Sequence, residues 1–362
     1  MQQTLNQNET SWDSPSDPCC QLLRAVARAS TADSQICELA RGIEDWDEVL
    51  FTSDGHRVLP LLYARLLQAN AELPAQAQQR LEREYQRNTF HCLANAAELI
   101  AILKVFDEHS IPVMPFKGVV LAASAYGDPN ARASGDLDLL IYVHDLKRAA
   151  QLLLNRGYEL RTPVRADLTP ASPACYELHF ERPADGMVAE LRWKLELVTS
   201  RYRRTLAMDW VWANRRTAII AGAEVPDLDP GTLLLVLCLH GSKHAWTRLG
   251  WVVDVAQLIN SHPGLDWEKI DREARRTGLW RTFALGVLLA HRIMDAAVPL
   301  LWLRRCESVS TVRRLAEHID AYKLDAPGSI PPALLPYSVR LLSIRDRIRL
   351  VLSLDLFKSR SD

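Results

Sequence analysis

The sequence predicts an α+β protein, in which a small unit of mixed strands and helices sits between an N-terminal and a C-terminal helical region. Three observations carry that reading. From Gln21 to about Phe106, and again beyond about Ser200, apolar residues recur at three and four positions with charged residues between them, the spacing of amphipathic helices. Between these regions the apolar runs shorten, alternate with polar residues and are bounded by turn formers, the pattern of strands. The chain carries no repeat of fixed period. The expected divisions are a disordered tail over 1–20, a helical region over 21–110, the mixed unit over 111–200 and a second helical region over 201–362.

Each element has its own justification. The opening segment MQQTLNQNETSWDSPSDPCC is polar and rich in Pro and Ser, lacks the basic start and apolar middle of a secretory signal, and reads as a tail. Helical spacing follows in LLRAVARA, VLPLLYARLLQA and ANAAELIAILKVF. IPVMPF, Ile111 to Phe116, comes after a helix ending near His109-Ser110 and reads as the first strand. After Lys117-Gly118, VVLAASAYG has helical composition and stops at the dense turn signal Gly127-Asp128-Pro129-Asn130. A loop of small residues leads into the strand LDLLIYV, Leu137 to Val143. In DLKRAAQLLLNRGY, Asp145 is placed to cap a helix and Gly157 to end it. The alternating runs CYELHFE and MVAELRWKL, joined by RPADG, form a hairpin. The chain then turns helical through TLLLVLCLHGSKHAW, WVVDVAQLI, LWRTFALGVLLAHRIM and SVRLLSIRDRIRLVLSLDLF. Pro327, Pro331, Pro332 and Pro336 mark a long connection before the last helix.

Composition excludes several classes of function. The 362 residues hold 43 Lys and Arg against 44 Asp and Glu, so no basic domain offers itself to a nucleic-acid polymer, and no basic stripe carries interleaved aromatics. Seven scattered cysteines without a C-x-x-C pair argue against a disulfide framework or a zinc site and are expected as reduced thiols in a cytoplasmic protein. The most apolar run, Leu233 to Leu239, falls short of the roughly 18 to 20 residues needed to cross a bilayer, so no membrane partner is expected.

The chemistry concentrates in SGDLDLLIY. Residues two apart on a strand share a face about 6.6 Å apart, so Asp136 and Asp138 converge at the leading end of an apolar strand. Carboxylates that close repel unless a cation neutralises them, and hard divalent ions such as Mg²⁺ prefer oxygen ligands. The plainer alternative is one turn-capping and one solvated aspartate. In MVAELRWKL, alternation places Val188, Glu190 and Arg192 on one face. Glu190, flanked by Ala189 and Leu191, either completes a carboxylate triad or pairs only with Arg192 on an edge strand. Lys117-Gly118 stands at a strand-to-helix junction, suited to phosphate although no P-loop spacing is present, and equally served by an ordinary tight turn. His240, Lys243 and His244 share a helical face that can grip a triphosphate or an acceptor, or lie at a solvated helix end. The H-E-x-x-H glutamate of a zinc helix is absent, since Gly241 and Ser242 follow the first histidine. Trp246 and Trp251 read as packing residues.

Taken together, Lys117-Gly118, a helix, SGDLDLLI and a later acidic strand resemble the polymerase-β-like nucleotidyltransferase superfamily. MPFKGVVLA, RASGDLDLLI, AELRWKL and LHGSKHAWTRLGWVVDVAQLI look more closely like a bacterial nucleotidyltransferase family with flanking helical regions, as does HRVLPLLYARL. The resemblance spans roughly residues 35 to 300. It implies a nucleotidyltransferase core in which Asp136, Asp138 and Glu190 hold two Mg²⁺ ions while Lys117, Gly118 and Ser134 meet the triphosphate. It further implies transfer of a nucleoside monophosphate, with ATP the expected donor, to a hydroxyl of an acceptor such as a peptide natural product, a sugar or a protein side chain. Two departures stand out: the third acid is usually aspartate, and the closer family often has histidine where Arg192 stands. A catalytically inactive nucleotide-binding or partner-binding module of the same fold is the alternative; Mg²⁺-dependent release of pyrophosphate separates the two.

Overall fold

The computed structural model describes residues 17–165, 168, 170, 175–199 and 202–322. Most of the expected tail lies outside them, as do the proline-rich stretch and the last expected helix. Residues 18–20, expected within the tail, instead begin α1 (Pro18–Ala27): Asp17 caps it by accepting from the Cys20 amide at 2.9 Å, and Cys19 and Cys20 are buried. The N-terminal helices continue as α2 (Asp33–Arg41), α3 (Trp46–Gly55), α4 (Leu59–Gln68) and the long α5 (Ala75–Glu108). By length and composition α5 would also suit a bilayer, but its buried face, from Cys92 through Leu99 to Phe106, lies in one apolar core with the sheet.

Next come β1 (Val113–Pro115), the short α6 (Gly118–Leu121), a π-helical turn at Ala122–Tyr126, β2 (Asp136–Ile141), α7 (Leu146–Asn155) and β3 (Glu159–Leu160). Asp145 precedes α7 but does not cap it; its carboxylate pairs with Arg148 at 3.0 Å. The hairpin expected at RPADG is present as β4 (Glu177–Arg182) and β5 (Met187–Arg192). The five strands form a mixed sheet in the order β1-β2-β5-β4-β3, with β2 and β5 parallel and the other pairs antiparallel. Lying between β2 and β4, β5 is an interior strand, which overturns the edge-strand reading of Glu190.

The region after Ser200, expected to be helical, opens with strands. A hairpin of β6 (Glu196–Thr199) and β7 (Tyr202–Thr205) is followed by α8 (Met208–Ala213) and by the hairpin β8 (Arg215–Ile220) and β9 (Ala223–Leu228), turning at Ala221-Gly222. Only then come α9 (Pro230–Lys243), α10 (Leu249–Ser261), α11 (Trp267–Arg276), α12 (Trp280–Met294), α13 (Leu300–Glu307) and α14 (Ser310–Tyr322). Asp229 starts α9 by accepting from the Gly231 and Thr232 amides, with Pro230 in the first turn, where its missing N–H costs nothing. The mixed α+β architecture is therefore as expected, with two more hairpins than the sequence reading supplied.

The sheet's two faces have different neighbours. Leu137, Leu139, Ile141, Leu178, Phe180, Ala189 and Leu191 share one core with α5 and α7. The opposite face begins with Met114, Phe116 and Leu140, which join the core of the N- and C-terminal helices. By strand alternation Asp136, Asp138, His179, Glu190 and Arg192 belong to this second face.

Candidate active site

The parallel register of β2 and β5 sets Asp138 beside Glu190, and Asp136 lies two residues back on the same face. Oxygens of Asp136, Asp138 and Glu190 all lie within 4.8 Å of one another, a hard donor set that fits a divalent ion such as Mg²⁺. Asp138 and Glu190 are buried, 5 % and 7 % exposed, and each has a cationic partner. Arg192 Nε donates to Asp138 Oδ1 at 3.0 Å, and its two terminal nitrogens reach Glu190 and Glu177. Lys117 Nζ lies 3.6 Å from Asp138 Oδ2, and His179 Nδ1 lies 2.9 Å from Glu190 Oε1.

These surroundings push the two acids in opposite directions. Burial, reinforced by Asp136 and Glu190 and only partly offset by Lys117 and Arg192, raises the Asp138 carboxyl to about 6. Burial acts the same way on Glu190, but hydrogen bonding to His179 and the charge of Arg192 outweigh it and hold Glu190 well below the usual range. Bonds to Glu177 and Glu190 raise His179 to about 10, so its imidazole is a cation at neutral pH. Glu177, His179 and Glu190 also converge within 4.8 Å, and with a charged ring they form an ion-pair network.

Lys117 and Gly118 turn the chain from β1 into α6 through positive φ angles of 61° and 49°. For Lys117 that is a costly conformation, held by a side chain only 6 % exposed. A Cβ at Gly118 would meet Ser134 Oγ at 3.1 Å and the Asp136 carbonyl at 3.2 Å, so the close approach requires glycine. Ser134 is buried behind Gly118, with Asn95 Nδ2 donating to its carbonyl at 3.3 Å, and it is not among the residues lining the cleft. Burial lowers the Lys117 pKa, with Asp138 opposing.

His240 and Lys243 end α9 and His244 follows it, as their spacing implies. All three line the cleft that contains Asp136, Asp138 and Glu190. His240 Nδ1 lies 3.2 Å from Lys117 Nζ, and its pKa sits well below the usual value through burial and then Lys117. His244 is lowered to about 4 by burial and then Lys243. Both rings are neutral at pH 7 and pack near Trp251, with centroids 5.4 and 5.0 Å away. Lys243 Nζ lies 3.6 Å from Glu177. Trp246 is fully buried, and Trp251 packs against the same core while also bordering the cleft, so the packing reading holds for both.

The cleft over these groups holds about 370 Å³ and admits residues the sequence reading did not select: Arg57, Arg132, Glu177, His179, Arg248 and Trp251. A tight join between the ends of the molecule seats Arg57. The Gly250 amide donates to the His56 carbonyl at 3.0 Å, and the Leu249 amide donates to His56 Nδ1 at 3.1 Å. A Cβ at Gly250 would lie 2.9 Å from that carbonyl. Arg132 is committed to Asp254, through Nε at 2.8 Å and Nη2 at 3.0 Å, while the Tyr126 hydroxyl donates to the same carboxylate at 2.7 Å. The Arg57 side chain forms no hydrogen bond or ion pair among the described residues; burial, Arg248 and Arg132 lower its pKa, and Asp136 and Asp54 oppose them. A guanidinium left unpaired among other cations is suited to an anion. Arg57 and Arg248 gave no signal in sequence, whereas Glu177 and His179 had one: by alternation they share a face in the strand next to Glu190.

A mixed sheet with three converging carboxylates under a cation-lined cleft defines a nucleotidyltransferase-like protein. Residues 43–295 match the family described as uncharacterised nucleotidyltransferase, more than half of the chain, and the protein belongs to that family. It is accordingly a transferase that moves a nucleoside monophosphate from a nucleotide to an acceptor. No curated protein matches the chain. Similar solved structures include the lincosamide antibiotic adenylyltransferase LnuA bound to lincomycin, at 13% identity, TM-score 0.33, covering 45% of this chain and 94% of that one. Another is ANT(2")-Ia in complex with adenylyl-2"-tobramycin, at 12% identity, TM-score 0.35, covering 51% and 97%. A third is an antigenic nucleotidyltransferase-like protein from Paracoccidioides brasiliensis, at 14% identity, TM-score 0.34, covering 64% and 94%.

Proposed function

We propose that the protein is a Mg²⁺-dependent, cytoplasmic enzyme that transfers the nucleoside monophosphate of a nucleoside triphosphate, ATP foremost, to a hydroxyl of a peptide, sugar or protein side chain. The observation that carries this reading is the convergence of Asp136, Asp138 and Glu190 within 4.8 Å, at the floor of a cleft also lined by Arg57, Lys117 and Arg248. Asp136 and Asp138 would hold the metal, which supplies charge neutralisation for the phosphates and the departing pyrophosphate. Lys117 and the unpaired Arg57 orient the triphosphate, and Arg248, beside Trp251 at 5.5 Å, closes the cleft wall. In the transfer, the acceptor oxygen forms a bond to the α-phosphorus while the bond to the β-phosphate bridging oxygen breaks. The electron pair leaves on pyrophosphate, and the hydroxyl proton passes to a carboxylate of the cluster. His240 positions Lys117 through Nδ1, and Ser134 backs the Gly118 turn that faces the triphosphate.

The non-catalytic alternative finds less support, because the partly exposed Asp136 has no ion-pair partner among the described residues, a condition suited to a bound cation. The test is incubation with each α-labelled triphosphate, Mg²⁺ and a lysate of the source organism, followed by mass spectrometry for a molecule that has gained a nucleotide. Transfer that is Mg²⁺-dependent and lost in Asp136→Asn supports the reading; equal labelling by wild type and variant refutes it.

A further inference from the structure

The contacts of Arg192 bear on how many metal ions the acid cluster admits. Its side chain is 11% exposed and spans three carboxylates: Nε donates to Asp138 Oδ1 at 3.0 Å, Nη2 donates to Glu190 Oε2, and Nη1 pairs with Glu177 Oε2. The other oxygen of Glu190 faces His179 Nδ1 at 2.9 Å. Both oxygens of Glu190 and Oδ1 of Asp138 are thus already held at hydrogen-bond distance by protein cations, while Asp138 Oδ2 has only the longer approach of Lys117 Nζ, at 3.6 Å. Asp136 is not: among the described residues its carboxylate has no hydrogen bond or ion pair, and it borders the cleft.

We propose that Arg192 is a resident cation between Asp138 and Glu190, so that this enzyme takes one divalent ion, between Asp136 and Asp138, instead of the two its superfamily resemblance implies. The proposal rests on the nucleotidyl-transfer reading above. A guanidinium stays charged at every working pH and forks across carboxylates with charge-assisted bonds. Mg²⁺ demands bare oxygens at roughly 2.0–2.1 Å in near-octahedral geometry. To bind between Asp138 and Glu190 it would have to break both of those bonds and stand beside the displaced positive charge. The charge balance points the same way. Asp138, Glu177 and Glu190 each pair with Lys117, Arg192 or Lys243, whereas Asp136, in the field of Arg57 and Arg132, has no ion pair among the described residues and is the acid left for an ion. Arg192 is here a positioning residue: it fixes the separation of Asp138 and Glu190 and thereby the ligand set open to metal. A histidine at this position would lack the fork and free Glu190 as a ligand.

The experiment counts Mn²⁺ per chain by electron paramagnetic resonance, with the full chain saturated by a non-hydrolysable triphosphate analogue and protein-free nucleotide as the blank. Wild type should hold one ion, Arg192→His two, and Arg192→Lys, which keeps charge without the fork, one. Asp136→Asn should empty the site, and Glu190→Gln should leave the count at one. Two ions in wild type, or one ion in both wild type and Arg192→His, overturns the proposal and leaves nucleotidyl transfer standing. No ion in wild type with analogue bound overturns both. The wild-type count decides even where a variant fails to fold.

Discussion

Replacing Asp138 by Asn should make the protein more stable while abolishing its turnover. The Asp138 carboxyl, ordinarily near 3.8, is raised to about 6, chiefly by burial, so the fold opposes its ionised form. An unfolded chain ionises this group freely above about pH 4, hence the folded state loses stability as pH rises from 4 towards 6 and bears the whole penalty above 6. At 1.36 kcal/mol for each pH unit, the interval from 3.8 to about 6 is worth about 3 kcal/mol. Asn keeps an acceptor for Arg192 Nε but turns its amide towards a second donor, Lys117 Nζ, which costs about 1 kcal/mol. The net gain is about 2 kcal/mol, or a melting temperature raised by about 3 °C at pH 8. Thermal melts by circular dichroism, in chelator and without nucleotide, should show that advantage at pH 8 and its near disappearance at pH 4. Melting below wild type at pH 8, an advantage independent of pH, or near-wild-type nucleotide transfer would each refute the reasoning.

Glu190→Gln should do the reverse. The Glu190 pKa is held low by His179 and Arg192, so its ionised form stabilises the fold above the unfolded pKa near 4.5; removing it should cost about 1.5–3 kcal/mol at pH 7, with the deficit shrinking as pH falls below 4, as urea titrations above and below that pH would reveal. Lys117→Ala should weaken triphosphate binding by about 1.5–3 kcal/mol in calorimetry, and an unchanged affinity would remove Lys117 from the phosphate site. Gly250→Ala places a Cβ 2.9 Å from the His56 carbonyl, and should cost about 1–3 kcal/mol of stability and reduce triphosphate affinity by unseating Arg57; an affinity loss in Arg57→Ala but none in Gly250→Ala would show that the join does not set that guanidinium.

The sequence was informative where local spacing decides geometry. Alternation alone put Asp136 and Asp138 on one face, and a charge between Ala189 and Leu191 marked Glu190 as unusual. What alternation cannot supply is register: the pairing of Asp138 with Glu190 is a parallel contact across an intervening helix and two strands, fixed by which apolar residues meet α5 and α7. Arg57 was hidden for a similar reason. It leaves a helix-to-helix turn with no motif, and only the His56 contacts with Leu249 and Gly250, nearly two hundred residues away, deliver it to the cleft. The two late hairpins were missed because their runs are short and lack clean alternation, as in RRTAII against AEVPDL, and stand close to a strongly helical segment. The neutrality of His240 and His244 was equally out of reach, since it comes from burial beside Lys117 and Lys243 and not from the histidines' own spacing.

The sheet explains why the chemistry occupies one face and needs both ends of the chain. On the face towards α5 and α7, β2, β4 and β5 contribute Leu137, Leu139, Ile141, Leu178, Phe180, Ala189 and Leu191, a continuous apolar layer with no place for an ion. The acids therefore fall on the opposite face, which is apolar only near β1, at Met114, Phe116 and Leu140, and becomes charged towards β4. That gradient matches what covers it. The apolar end joins the core of the flanking helices, while their polar edges supply Arg57 from the N-terminal side and His240, Lys243 and Trp251 from the C-terminal side. Residues 111–200 on their own would expose Met114, Phe116 and Leu140 and would keep the carboxylates without Arg57, Lys243 and Arg248 of the cleft wall. The flanking helical regions are thus part of the site: the same packing that buries one end of the sheet builds the cleft at the other.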